Sequence, residues 1–372
     1  MGGYARPMDE QNQGPSAGSE SLDAGAGPPA DDPAVRRARR GLALWFGLLV
    51  AGGLGGLVFG QPEAAGLVAL AAMFAAAQAA DLDPRWRPAW TLLAFVPPAG
   101  GVVFFGYLLA LVVQGPLPAP QRVAGAGLAA AGVLVLALSA MPAFAAGLAR
   151  RLFRGQAPSY TLGLAAQLTA AGLLLAVPAW FAFDTLKPAL LEDPEPLLKK
   201  AMLSGALAGY VLLALGGMGC WIRRDLRQTL ARLGLGPVSL RHAGIILGGA
   251  LALFALNGGA EAVQHRYFPA LWKLDHEVTE LLARAMTPAR IVLLGLSAGV
   301  GEEITLRGGL QPRLGIVLTS LLFAALHVQY SWFGMLLVFA LGLTLGLIRK
   351  HANTTAAIAV HALYDMLAVF TS

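Results

Sequence analysis

The stretch Gly301-Glu302-Glu303-Ile304-Thr305-Leu306-Arg307 sets two adjacent carboxylates and an arginine inside sequence apolar enough to lie in a membrane. A charged side chain at bilayer depth costs about 2.5–3.5 kcal/mol on insertion scales, so such groups face a protein interior and usually serve function there. Two later apolar stretches each carry one histidine, His327 and His361, and Asp365 follows the second by four residues. Chemistry is therefore sought among Glu302, Glu303, Arg307, His327, His361 and Asp365.

The surrounding composition supports that depth. Of 372 residues, 56% are hydrophobic and 13% charged, with a mean hydropathy of +0.63; an ordinary soluble domain is about 25% charged. Eleven apolar stretches are long enough, or nearly so, to span: 41–60, 63–80, 89–114, 123–147, 159–183, 201–221, 243–263, 289–307, 314–331, 333–348 and 353–371. Backbone groups in hydrocarbon must pair internally, and nothing reads as short alternating barrel strands, so the fold class is all-α, a polytopic helical membrane protein.

The formal charge of +6 is divided among short basic clusters between the apolar stretches, not gathered on one face, which argues against a nucleic-acid partner. These clusters report orientation. With a cytoplasmic N-terminus, Arg36, Arg37, Arg39, Arg40, Arg85, Arg87, Arg150, Arg151, Arg154, the arginines of 222–242, Arg313, Arg349 and Lys350 fall inside. That fits the positive-inside rule with the C-terminus outside. Arg266, Lys273 and Arg284 are the exception. The expected location is the cell membrane, multi-pass, and the Ala-, Gly- and Arg-heavy composition points to a bacterial inner membrane. The single cysteine, Cys220, excludes an internal disulfide and a cysteine metal cluster.

Residues 1–34 hold almost no large apolar side chain, and 1–40 reads as a disordered cytoplasmic tail. An N-terminal membrane module at 41–242 follows, ending in an Arg-rich linker at 222–242 that reads as a short amphipathic surface helix stopped by Gly and Pro. The C-terminal module spans 243–372. Pro97-Pro98 and Gly100-Gly101 predict a break in the third stretch, 184–200 reads as a loop, and 271–285 has helical periodicity suited to a membrane surface.

On an α-helix, Glu303 and Arg307 share a face while Glu302 lies about 100° round the axis, so one carboxylate is held and its neighbour stays available. Phe323 and His327 form a second i, i+4 pair, and His361 with Asp365 a third. Counted from turns near 313 and 352, Glu302, His327 and His361 lie 11, 14 and 9 residues in. At 1.5 Å per residue this is about 14–21 Å, near the middle of a core about 30 Å thick.

Glu-Glu-x-x-x-Arg, Phe-x-x-x-His and His-x-x-x-Asp in this order on three membrane helices resemble the CPBP family of intramembrane endopeptidases, the CAAX prenyl proteases and bacteriocin-processing (Abi) enzymes. The resemblance covers 289–368 and implies a CPBP-type catalytic helix bundle in the C-terminal module. It further implies peptide hydrolysis in which Glu302 activates water with help from His327, while His361 and residue 365 stabilise the oxyanion. Where prenyl-protease members most often carry Asn, this chain has Asp365, which can donate only when protonated or can instead orient His361. The implied partners are a membrane-associated protein or peptide substrate and the lipid bilayer.

Other readings compete. A purely structural ion pair leaves one arginine to neutralise two buried carboxylates. His276-Glu277 begins like a zinc-protease helix, but Glu280 stands where that motif needs histidine. A proton-coupled transporter would also place Glu, His and Asp at mid-depth, yet the first six stretches lack matching charges; a non-catalytic scaffold or immunity protein would not need intact motifs. Glu302, His327 and His361 could supply a three-ligand Zn2+ site. The Arg307 charge beside them favours catalysis without a cofactor.

Overall fold

A computed structural model describes residues 32–115, 117–192, 200–284 and 286–371. These are helical, with no strand among them. The helices are α1 (Pro33–Val58), α2 (Pro62–Leu82), α3 (Arg87–Leu93), α4 (Val96–Gln114), α5 (Ala119–Ser139), α6 (Pro142–Leu152), α7 (Tyr160–Glu192) and α8 (Lys200–Gly217). They continue as α9 (Leu226–Arg232), α10 (Leu240–Tyr267), α11 (Pro269–Arg284), α12 (Pro288–Glu302), a π-helical turn (Glu303–Leu310), α13 (Gln311–Ala325), α14 (Trp332–His351) and α15 (Thr354–Thr371).

Among the described residues, eight helical segments are long and apolar enough to cross a membrane. The protein is thus an all-α polytopic membrane protein. The other three expected spans correspond to shorter pieces: the apolar part of α8 at Leu203–Gly217, the 15-residue α12 running into the π turn, and the 15-residue α13.

Several boundaries differ from the expectation, each for a local reason. Helix α1 starts at Pro33 with Asp32 capping Ala34 N, so Arg36–Arg40 lie in its first turns and not in a tail. The rest of the expected tail, 1–31, lies outside the described residues. The third stretch breaks at Ala94-Phe95, upstream of Pro97-Pro98, because proline is tolerated in the first turn of α4, where its missing N–H has no partner to lose. The fourth stretch divides at Ala140-Met141, and Pro142 opens α6. Helix α7 continues to Glu192, well into the expected 184–200 loop, of which 193–199 lie outside the described residues.

Before α3, Asp83 accepts from Arg85 Nε at 2.9 Å, and this bond holds its carboxyl below the usual range. The 222–242 segment folds as α9, with a capping box between Asp225 and Gln228, and turns through Gly234 at φ 73°. Only glycine adopts that φ without strain. Leu233 and Gly234 then meet the start of α15, where Thr354 Oγ1 donates to Leu233 O at 2.7 Å and Thr354 N to Gly234 O at 3.0 Å.

Helices α12 and α15 cross closely at Gly295 and Gly299, where an added Cβ would lie 2.8 Å from the Ala362 backbone. Small residues spaced by four let membrane helices approach this way. On its other side α12 packs against α8, and Ser297 Oγ donates to Leu203 O at 2.9 Å.

Candidate active site

The two glutamates straddle a change in helix geometry. Glu302 ends α12 and Glu303 opens the π turn, whose i→i+5 bonding fits one more residue into the helix than α geometry would. An α-helix was the expectation for this stretch. The pairing survives the change: Arg307 Nε lies 3.5 Å from Glu303 Oε2, and both side chains are 0% exposed.

Arg307 is held on two further sides. Its guanidinium sits 4.6 Å over the Phe323 ring centroid, and one terminal nitrogen donates to Gly342 O at 3.3 Å. Gly342 is midway along the 20-residue α14, so the arginine reaches mid-depth. Stacking and a forked donor are properties lysine lacks.

Glu303 also receives His361, whose Nδ1 is 3.0 Å from Oε1. The other ring nitrogen, Nε2, lies 3.5 Å from Asp365 Oδ2, longer than a good hydrogen bond. His361 is thus set between carboxylates, tied to Glu303 and not left free on both nitrogens.

Glu302 Oε2 is buried without a hydrogen-bond partner. Glu303 Oε2 makes no hydrogen bond either, but it lies 3.5 Å from Arg307 Nε. Tyr210, Tyr330, His361 and Asp365 are all close enough to interact with the Glu302 charge. What separates the two carboxylates is that Glu303 meets Arg307 and His361.

His327 does not lie on a span as expected. Helix α13 has Gly315 at φ 78° near its start and ends at Ala325, so His327 falls in the turn beyond it. Its Nδ1 meets Phe323 O at 2.8 Å. A carbonyl can only accept, so Nδ1 carries a proton, and in the neutral ring Nε2 keeps a lone pair. The Phe323 ring joins the pieces: its centroid is 4.6 Å from that of His327 and 5.8 Å from that of His361.

The three candidate zinc ligands do not form a set. His327, with Nδ1 on a carbonyl, keeps Nε2 available as a ligating imidazole would, but both nitrogens of His361 face carboxylates. Among the described residues no three His, Cys, Asp or Glu side chains are grouped to hold a metal.

Three residues near the site are not singled out by the sequence. Tyr210 comes from α8, in the charge-poor first part, and packs on Gly301. Tyr330 lies close enough to Asp365, Asp275 and Glu302 to interact with their charges. Asn257 on α10 accepts from Tyr364 at 3.1 Å. Their sequence signal is weak because aromatic and amide residues are common at membrane interfaces. His242, His265 and His351, expected in loops, are all helical, and His265 packs edge-on to Trp272 at 4.5 Å.

With the geometry in place, residues 284–367 match the family described as Type II CAAX prenyl endopeptidase Rce1-like. This segment is Rce1-like. It contains every candidate site residue, from Glu302 to Asp365. Uncharacterized protein YpbD of Bacillus subtilis (strain 168) is 25% identical over 158 residues, 42% of this chain and 80% of that protein. No solved structure matches the chain. At family level the Rce1-like match is to proteases.

Proposed function

We propose that the protein is an intramembrane endopeptidase that hydrolyses a peptide bond of a membrane-associated protein or peptide, with Glu302 as the base. The observation that carries this is the buried, unpartnered Oε2 of Glu302 beside a Glu303 already held by Arg307 and His361. Glu302 takes a proton from water as the oxygen attacks the scissile carbonyl, and returns it to the amine as the C–N bond breaks. His327, protonated on Nδ1, offers Nε2 to orient that water.

His361 serves the oxyanion. Tied to Glu303 through Nδ1, its imidazolium form presents Nε2–H to a developing negative charge nearby. Glu303 and Arg307 position it. Asp365 acts as a second donor while protonated. No metal takes part; near-stoichiometric zinc whose removal by chelation abolishes activity would overturn that.

In this reading 243–372 is the catalytic module and 41–242 shapes substrate access. The N-terminus is cytoplasmic, the C-terminus outside, and the location is the cell membrane. The test compares purified wild type and Glu302→Gln on quenched fluorogenic peptides. The isosteric change should lower turnover at least about 100-fold, the scale of general-base catalysis, with unchanged thermal stability. Equal activity would reassign the base.

A further inference from the structure

We infer that Asp275, on the surface helix α11, is a positioning residue that anchors the turn carrying His327; its kinetic consequence rests on the protease reading above. The turn from Leu326 to Ser331 joins α13 to α14 and carries both His327 and Tyr330. Its first half is short-range: His327 N donates to Ala324 O at 3.0 Å and Tyr330 N to His327 O at 3.3 Å. Neither bond fixes the turn relative to the rest of the protein.

Asp275 does. Its Oδ1 accepts from Ser331 N at 2.6 Å, and its Oδ2 accepts from Ser331 Oγ at 2.6 Å and from Gln264 Nε2 at 2.6 Å. Ser331 is 0% exposed and caps α14 by accepting from Gly334 N at 3.2 Å. The carboxylate reaches this corner because position 334 is glycine: a Cβ there would sit 2.8 Å from Oδ2. Gln264 is 5% exposed and comes from the end of α10. One carboxylate thus ties α10, α11 and the residue that caps α14 together. Charge-assisted bonds of this length are about twice as strong as neutral ones.

The consequence falls on His327, four residues before the anchor. Its ring is oriented by a bond to Phe323 O, so a turn released at Ser331 lets the imidazole leave the place that the proposed orientation of the water needs, while the helices stay packed. A misplacement of about 1 Å can cost a rate factor of about 100. Tyr330, in the same turn, moves with it.

The test has a kinetic arm and a structural arm. A spin label at Val328→Cys in a Cys220→Ala background should become more mobile on Asp275→Ala, while a label at the exposed Leu347→Cys at the far end of α14 should not change. On a cleaved peptide, Asp275→Ala should lower kcat about tenfold or more with KM within about threefold. Gln264→Glu added to Asp275→Asn reverses donor and acceptor across the same contact and should recover most of the loss.

An unchanged Val328 label, or equal loosening at Leu347, overturns the anchoring role. An unchanged kcat with a released label overturns the link to His327. A wild type that cleaves no peptide overturns the protease reading instead, and the label still decides whether Asp275 holds the turn.

Discussion

Glu303 and Glu302 are adjacent, yet one is a structural partner and the other is available, and substitution should separate them. Removing Arg307 leaves Glu303 with His361 as its remaining partner inside the membrane. Losing one partner of a buried pair costs about 3–5 kcal/mol, so Arg307→Ala should reduce yield and lower Tm sharply, measured by thermal unfolding in detergent. Arg307→Lys should rescue little, because the stack on Phe323 and the bond to Gly342 O need the guanidinium. Normal expression of Arg307→Ala would contradict the pairing. At Asp365 the expected effect is small. Glu303 already fixes the His361 ring, and the 3.5 Å approach of Asp365 is a weak tie. Asp365→Asn should therefore keep activity at neutral pH within about tenfold, because an amide donates without needing a proton; a larger loss across the whole pH range would make Asp365 the residue that orients His361, as a lost outer partner costs about 10- to 100-fold.

Between elements, the site depends on how closely α12 and α15 approach. Gly299 faces the Ala362 N and Ile358 O backbone atoms, which cannot move aside as a flexible side chain could. Gly299→Ala should push the helices apart and lengthen the Glu303–His361 contact, costing about 1–3 kcal/mol as an overpacked core does, with a larger fractional loss of turnover than of folded protein. Equal losses in both would show that the contact tolerates the shift. The motifs were legible at this scale, but the geometry around them was not. Glu303 and Arg307 could be paired from their spacing because they remain neighbours in either helix type. The π turn left no mark in the hydropathy pattern, and the groups packed against it, Leu233 at Gly308 and Tyr210 at Thr305, are distant in sequence. The end of α13 at Ala325 was hidden for the opposite reason: the apolar run continues through Leu326 and Val328, so hydropathy does not register where helix gives way to turn.

Across the molecule, helical membrane architecture could be read from hydropathy, because length and apolar content are what the bilayer selects. The coupling of the two parts of the chain could not. The first part has few charges near the site, yet α8 contributes Tyr210 against Gly301 and the Leu203 carbonyl to Ser297, and Leu233, just past α9, backs Gly308 of the π turn. These contacts predict that a chain beginning at residue 239, which lacks α1–α9, will not accumulate as folded protein. Co-expression with residues 1–238 should restore it. Independent folding of the shorter chain, judged by a single symmetric size-exclusion peak and wild-type Tm, would mean that those contacts contribute little.

If Glu302 is the base for peptide-bond cleavage within a membrane, its loss changes the protein termini of the cell. The most direct measurement is a comparison of new protein N-termini in membranes from cells carrying wild type or Glu302→Gln at equal abundance. A small set of termini should appear with wild type, disappear with Glu302→Gln, and map to membrane-associated proteins, whose uncut forms then accumulate. Identical terminus sets in the two strains, with both proteins folded and present, would contradict that role of Glu302.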